Sequence, residues 1–135
     1  MRALIAIAGL GLLVGGCGGH HSRDVAGDTV IGGDEACGKK PAFVPLYADA
    51  KVILCSASHD DAARKDSGTI IYTAAAAPGI VLAWSKEQVL KAGLTEQLST
   101  PETFSASEGD RRTAMILAAA QGTGSQVTIN WSRVR

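Results

Sequence analysis

Ser125–Trp131, Ser-Gln-Val-Thr-Ile-Asn-Trp, alternates strictly. Val127, Ile129 and Trp131 point one way, Thr128 and Asn130 the other. A period of two marks a strand with one face in a core and one toward water. Such a strand needs partners, and the preceding residues offer them. Val52-Ile53-Leu54-Cys55 is a short apolar run that fits a buried strand. Thr69–Ala74 is β-branched and aromatic, a second strand. Phe104–Ser107 is a short third. Thr113–Ala119 is a fourth, although its alanines, Met115 and Leu117 also suit a helix.

Between them lie the breakers. His59–Gly68 is charged and ends in Ser-Gly, so it reads as a loop or wide hairpin turn. Glu108-Gly109-Asp110 and Gln121–Gly124 are turns. One segment keeps helical spacing. Pro78 suits a helix start, where its missing N–H costs nothing. Val81, Trp84, Gln88 and Ala92 share a face with Ser85 and Val89 beside it, while Lys86, Glu87 and Lys91 lie away from it. Gly93 fits the position that ends such a helix. The order β-β-α-β-β-β predicts an α+β fold: an antiparallel sheet of about five strands with one amphipathic helix packed on one face.

The N-terminus carries a different signal. After Met1-Arg2 comes an apolar run, Ala3–Val14, of signal-peptide length and too short to span a bilayer comfortably. Gly9, Gly11, Gly15 and Gly16 would make a poor core helix. The run stops at Val14-Gly15-Gly16-Cys17. An aliphatic residue, two small residues and a cysteine resemble the lipobox of bacterial lipoproteins. Valine stands where leucine is commoner, and Gly15 where alanine or serine is. The resemblance implies a diacylglyceryl thioether on Cys17, cleavage before it, and acylation (a palmitate, for example) of the new amino terminus. One acyl chain anchors marginally and two or more stably, at about 0.8 kcal/mol per buried methylene. The expected organisation is a removed signal peptide over 1–16, a lipidated cysteine with a flexible tether over 17–40, and a single domain over 41–135. Gly18 follows the cysteine where aspartate would resemble the inner-membrane retention signal of enteric bacteria. That leans toward the outer membrane.

Three cysteines are present. With Cys17 lipidated, Cys37 and Cys55 remain. Export to an oxidising compartment favours a disulfide between them. Closing that loop would stabilise by on the order of 3 kcal/mol. A metal site using both thiols and a histidine is the alternative, without a zinc-type spacing to support it.

Formal charge is zero for 13 basic and 13 acidic residues, and loss of Arg2 leaves one excess negative charge. No basic patch points to nucleic acid. Near neutrality also argues against electrostatic adhesion to anionic lipid, leaving the acyl chains to hold the membrane. The tether, rich in glycine with Asp24, Asp28, Asp34 and Glu35 interleaved, has linker composition. His20 and His21 with Asp24 could hold a transition metal, but adjacent histidines on a linker more often serve as polar filler. No calcium-loop pattern is present, and no cofactor is implied.

Further motifs spread along the chain: Tyr47-Ala48-Asp49-Ala50, Trp84-Ser85-x3-Val89-x3-Gly93-Leu94, Phe104-x-Ala106, Gly122-Thr123 and Val127-x-Ile129-x-Trp131. Together they resemble a module of small bacterial envelope lipoproteins with the pattern Y-P-G-A, F-Y-x3-L-x3-G-W on a helix, and a closing G-T-x-V-x-[LIV]-x-W strand. Ala48-Asp49 replaces Pro-Gly, Ser85 an aromatic and Leu94 a tryptophan, and extra residues follow Thr123. These are packing motifs and imply fold and location only.

Catalytic candidates are thin. His59 with Asp60 and Asp61 could act as an acid/base cluster near Ser56 or Ser58, and a Ser-His-Asp arrangement would have to pass through His59. No G-x-S-x-G elbow occurs. Ser85 and Lys86 are sequence neighbours and would not face each other on a helix. Ser99 and Glu102 have capping-box spacing. Arg111-Arg112 reads as a solvated turn. The expectation is a non-enzymatic, lipid-anchored envelope protein. It would work by contact with another envelope protein, through the sheet face left open by the helix or through an edge strand such as Ser125–Trp131. The alternative is a periplasmic module for a small ligand or metal.

Overall fold

A computed structural model describes residues 28–135. The signal segment, Cys17, His20, His21 and Asp24 lie outside the described residues. The elements are β1 (Asp28–Gly32), α1 (Asp34–Gly38), β2 (Lys51–Asp60), β3 (Lys65–Ala74), α2 (Pro78–Lys91), β4 (Thr95–Ser99), β5 (Thr103–Glu108), β6 (Arg112–Gln121) and β7 (Gly124–Val134). All strands join one antiparallel sheet in the order β1-β2-β3-β7-β6-β5-β4.

The α+β class and the antiparallel pairing match the expectation; the strand count does not. Among the described residues seven strands replace about five, and Ser125–Trp131, expected as an edge, lies in β7 at the centre of the sheet between β3 and β6. β1 falls within the segment expected as tether, from Asp28 on. β4 is a five-residue edge strand whose residues are all exposed, so it carries no apolar alternation. Thr113–Ala119 is strand: Ala114, Ile116 and Ala118 alternate inward, which decides against helix propensity. The charged stretch after His59 is not a wide loop. β2 runs to Asp60 and β3 starts at Lys65, with His59 opposite Asp66 and Asp60 opposite Lys65. Cross-strand charge pairing keeps that hairpin regular nearly to its tip, where Arg64 takes a positive φ of 52°.

The core lies between the sheet and a cover made of α2 and the segment before β2. Cys55 and Ala57 of β2, Ile70 and Tyr72 of β3, Val127, Ile129 and Trp131 of β7, Ile116 of β6 and Phe104 of β5 are all buried. From the cover come Phe43, Val44, Val81, Leu82, Val89 and Leu94. Pro78 opens α2 as anticipated, and Gly93 follows it at φ 95°. The buried face of α2 is rotated from the expected one: Val81, Leu82, Ser85 and Val89 face the sheet. Trp84 sits on the rim, edge-on to Tyr47 with ring centroids 5.3 Å apart.

Cys37 of α1 and Cys55 of β2 form a disulfide, with Cα atoms 5.3 Å apart and a separation of 18 residues. As a disulfide the pair offers no thiolate to a metal. Ser99 and Glu102 do not cap a helix. They flank the β4–β5 turn, where the Thr100 hydroxyl accepts from the amides of Glu102 (3.3 Å) and Thr103 (2.9 Å).

Candidate functional site

Two surfaces carry polar or exposed apolar groups in register. The first is a row at one end of the core face. His59 of β2 lies opposite Asp66 of β3, which lies opposite Arg133 of β7. Arg133 lies opposite Arg112 of β6, and Arg112 opposite Glu108 of β5. Strand alternation continues the apolar columns of Cys55-Ala57, Ile70-Gly68 and Ile129-Trp131 into this row. The core face therefore ends in charge.

The carboxylates hold the row together. Asp66 meets His59 Nδ1 at 2.6 Å, Arg133 Nε at 3.1 Å and Arg135 Nε at 3.3 Å. Its burial pushes the pKa up, but the bonds from His59 and Arg133 and the Arg133 charge override this and hold it below the ordinary aspartate range. Asp61 meets His59 Nε2 at 2.8 Å and Arg135 Nη2 at 3.0 Å. Asp60 turns away and accepts from the Ala63 amide at 2.9 Å. Arg112 pairs with Glu108, donates to the Ala92 carbonyl at 3.1 Å, and lies 5.5 Å from the centre of the Phe43 ring. Its neighbour Arg111 is exposed. The solvated turn expected for this arginine pair holds for Arg111 and fails for Arg112. A cleft of about 600 Å³ opens beside them, walled by Pro41, Phe43, Ala92 and Val134 and lined by Glu108, Arg111, Arg112 and Arg133.

This geometry does not assemble a serine–histidine pair from Ser56 or Ser58 and His59. Ser56 and Ser58 alternate with Cys55 and Ala57, so they face the opposite side of the sheet from His59. Both ring nitrogens of His59 already face carboxylates. Ser85 is fully buried in α2, while Lys86 reaches Glu96 at 2.5 Å and Ser99 at 3.3 Å. Among the described residues no group of three metal-ligating side chains comes together. Asp66, Arg133 and Glu108 were not among the candidates read from sequence. Each sits two residues beyond a residue of the core-face columns (Gly68, Trp131 and Ala106), and that continued alternation was the available signal.

The second surface is the sheet face that α2 leaves open. One row reads Leu54, Ile71, Thr128, Leu117, Thr103 across five strands. The next reads Ser56, Thr69, Asn130, Met115, Ser105, Leu98, with Thr69 donating to Asn130 at 2.7 Å. A third is all hydroxyl: Ser58, Ser67, Ser132, Thr113, Ser107, Thr95. Leu54, Leu98, Met115 and Leu117 are 40–46% exposed. A shallow hollow of about 340 Å³ crosses this face near Ser105, Met115 and Asn130.

No protein-family model, no curated protein and no solved structure matches the chain.

Proposed function

We propose that this chain is an envelope lipoprotein, anchored through acyl chains on Cys17, that works by contact with another envelope protein rather than by catalysis. The observation that carries the contact role is the open sheet face. Leu54, Ile71 and Leu117 fall in one transverse row with Met115 and Leu98 alongside, framed by hydroxyls. Large side chains exposed together on a flat, regular surface mark an interaction site more often than chance exposure does. No helix of the described residues is long and apolar enough to cross a membrane, and the anchor proposed here needs none. The compartment this implies, periplasm or cell exterior with the outer membrane favoured, agrees with the Cys37–Cys55 disulfide.

Two measurements test the parts separately. Intact mass of the membrane fraction should show a chain lacking residues 1–16 and carrying two or three acyl chains, while Cys17→Ser stays unprocessed or leaves the membrane. An unmodified, freely soluble wild type ends the anchor. For the contact role, a photo-crosslinking residue is placed in cells at Leu117, at Met115 and at Ala83, which lies exposed on α2. One adduct of the same mass from the two sheet positions and none from Ala83 is expected. Equal adducts from all three positions, or none, end the contact role.

A further inference from the structure

The cleft at the charged end of the sheet has donors to spare. Three arginines and one carboxylate, Glu108, line it. Arg112 is already committed to Glu108 and the Ala92 carbonyl. Arg133 meets Asp66 through Nε, and its two terminal nitrogens make no other hydrogen bond among the described residues. Arg111 makes no side-chain hydrogen bond or ion pair among the described residues. Asp66 fixes Arg133 and Glu108 fixes Arg112 at the cleft wall, so part of the ordering cost of binding is already met there.

The walls are apolar: Phe43, Val134 and Ala92. A hollow of a few hundred Å³ with apolar sides and a few convergent polar groups has the form of a small-ligand site. Guanidinium forks match the geometry of a carboxylate. We propose that this cleft binds an organic monoanion, a carboxylate carried on an apolar body. The carboxylate faces Arg111 and Arg133, and the body lies against Phe43 and Val134. Glu108 at the rim disfavours a dianion, so a phosphate monoester fits less well. The site lies on the core side of the sheet and is independent of the open-face contact proposed above.

The full chain, purified in nonionic detergent, is titrated with phenylacetate and with phenylacetamide and followed by NMR of the backbone and arginine Nε–H groups. Phenylacetate should shift Phe43, Arg111, Arg133 and Val134 saturably, and the isosteric amide should not. Arg111→Ala, which removes an exposed side chain and no internal bond, should weaken phenylacetate about tenfold, with Arg111→Lys between the two. A free acid and the end of a peptide chain share this chemistry. A hexapeptide ending in Leu-Phe, compared with its C-terminal amide, separates the sources: saturation only by the free-ended peptide assigns the site to a chain terminus. Equal binding of acid and amide, shifts confined to other regions, or an Arg111→Ala titration identical to wild type would overturn the proposal.

Discussion

Gly68 of β3 lies beneath the indole of Trp131 on β7. A Cβ at Gly68 would stand 2.6 Å from Trp131 Cζ2 and 2.6 Å from the Ser56 carbonyl oxygen. Neither atom is the loose end of a flexible side chain. Gly68→Ala must therefore push the strand or the ring, at a cost of about 1–3 kcal/mol. Gly79→Ala, in the first turn of α2 with nothing within 4 Å, should be neutral or slightly stabilising. Urea midpoints of the two variants against wild type check this. Equal midpoints would mean the ring has room to move.

The disulfide ties α1 to the middle of β2. β1 and α1 pack mainly against β2 and against each other, and Gly33 donates its amide to the Cys55 carbonyl at 3.1 Å. Replacing both cysteines by serine should lower stability by on the order of 3 kcal/mol. Protection from hydrogen exchange should fall first in β1 and α1, since the β2–β3–β7–β6 pairing does not depend on the bridge. Uniform loss of protection over all strands would show that the bridge supports the whole sheet.

Much of the sheet was legible because side chains alternate where one face is buried. β7 and β3 could be read directly from Val127-Ile129-Trp131 and Ile70-Tyr72. β4 could not, because an edge strand with every residue exposed has no period to detect. The face of α2 was read one step off because Trp84, large and apolar, belongs to the rim where it meets Tyr47, while the small polar Ser85 goes inside. The charged row was hidden for a different reason. His59, Asp66, Arg133, Arg112 and Glu108 come from five strands, and only the register makes them neighbours. In sequence His59 sits beside Asp60 and Asp61, and of these Asp61 does meet the histidine while Asp60 caps the turn; the second carboxylate on the ring, Asp66, comes from the next strand. Cys17 and the tether histidines were read from motif and composition alone.

Tyr72 and Ser85 bury their hydroxyls without a hydrogen-bond partner among the described residues. Burial raises the Tyr72 pKa, while the Ser85 side chain and the Tyr47 backbone act in the other direction. A buried, unmatched hydroxyl costs about 1–3 kcal/mol. Tyr72→Phe combined with Ser85→Ala should leave the domain at least as stable as wild type, and calorimetric unfolding checks it. A loss of more than about 1 kcal/mol would mean that the pair is bonded in solution, directly or through water.

Asp66 sets the acid limit of the charged row. Its pKa is held below 3.8 by His59 and Arg133 despite burial. Near pH 4 the unfolded chain therefore binds more protons at this site than the native chain does. The stabilisation is fully present above the ordinary aspartate pKa and is lost as pH falls through the lower native value. Asp66→Asn keeps the shape and removes the charge that neutralises Arg133 and Arg135. At pH 7 the variant should be modestly less stable than wild type, since it leaves the partly exposed Arg133 and the exposed Arg135 without that partner. Below about pH 4 the two should converge as wild-type Asp66 takes up its proton. Urea unfolding of both proteins across this range decides it. A gap that stays constant down to about pH 2 would show that the Asp66 charge contributes nothing, and that the carboxylate serves the row only as a neutral hydrogen-bond acceptor.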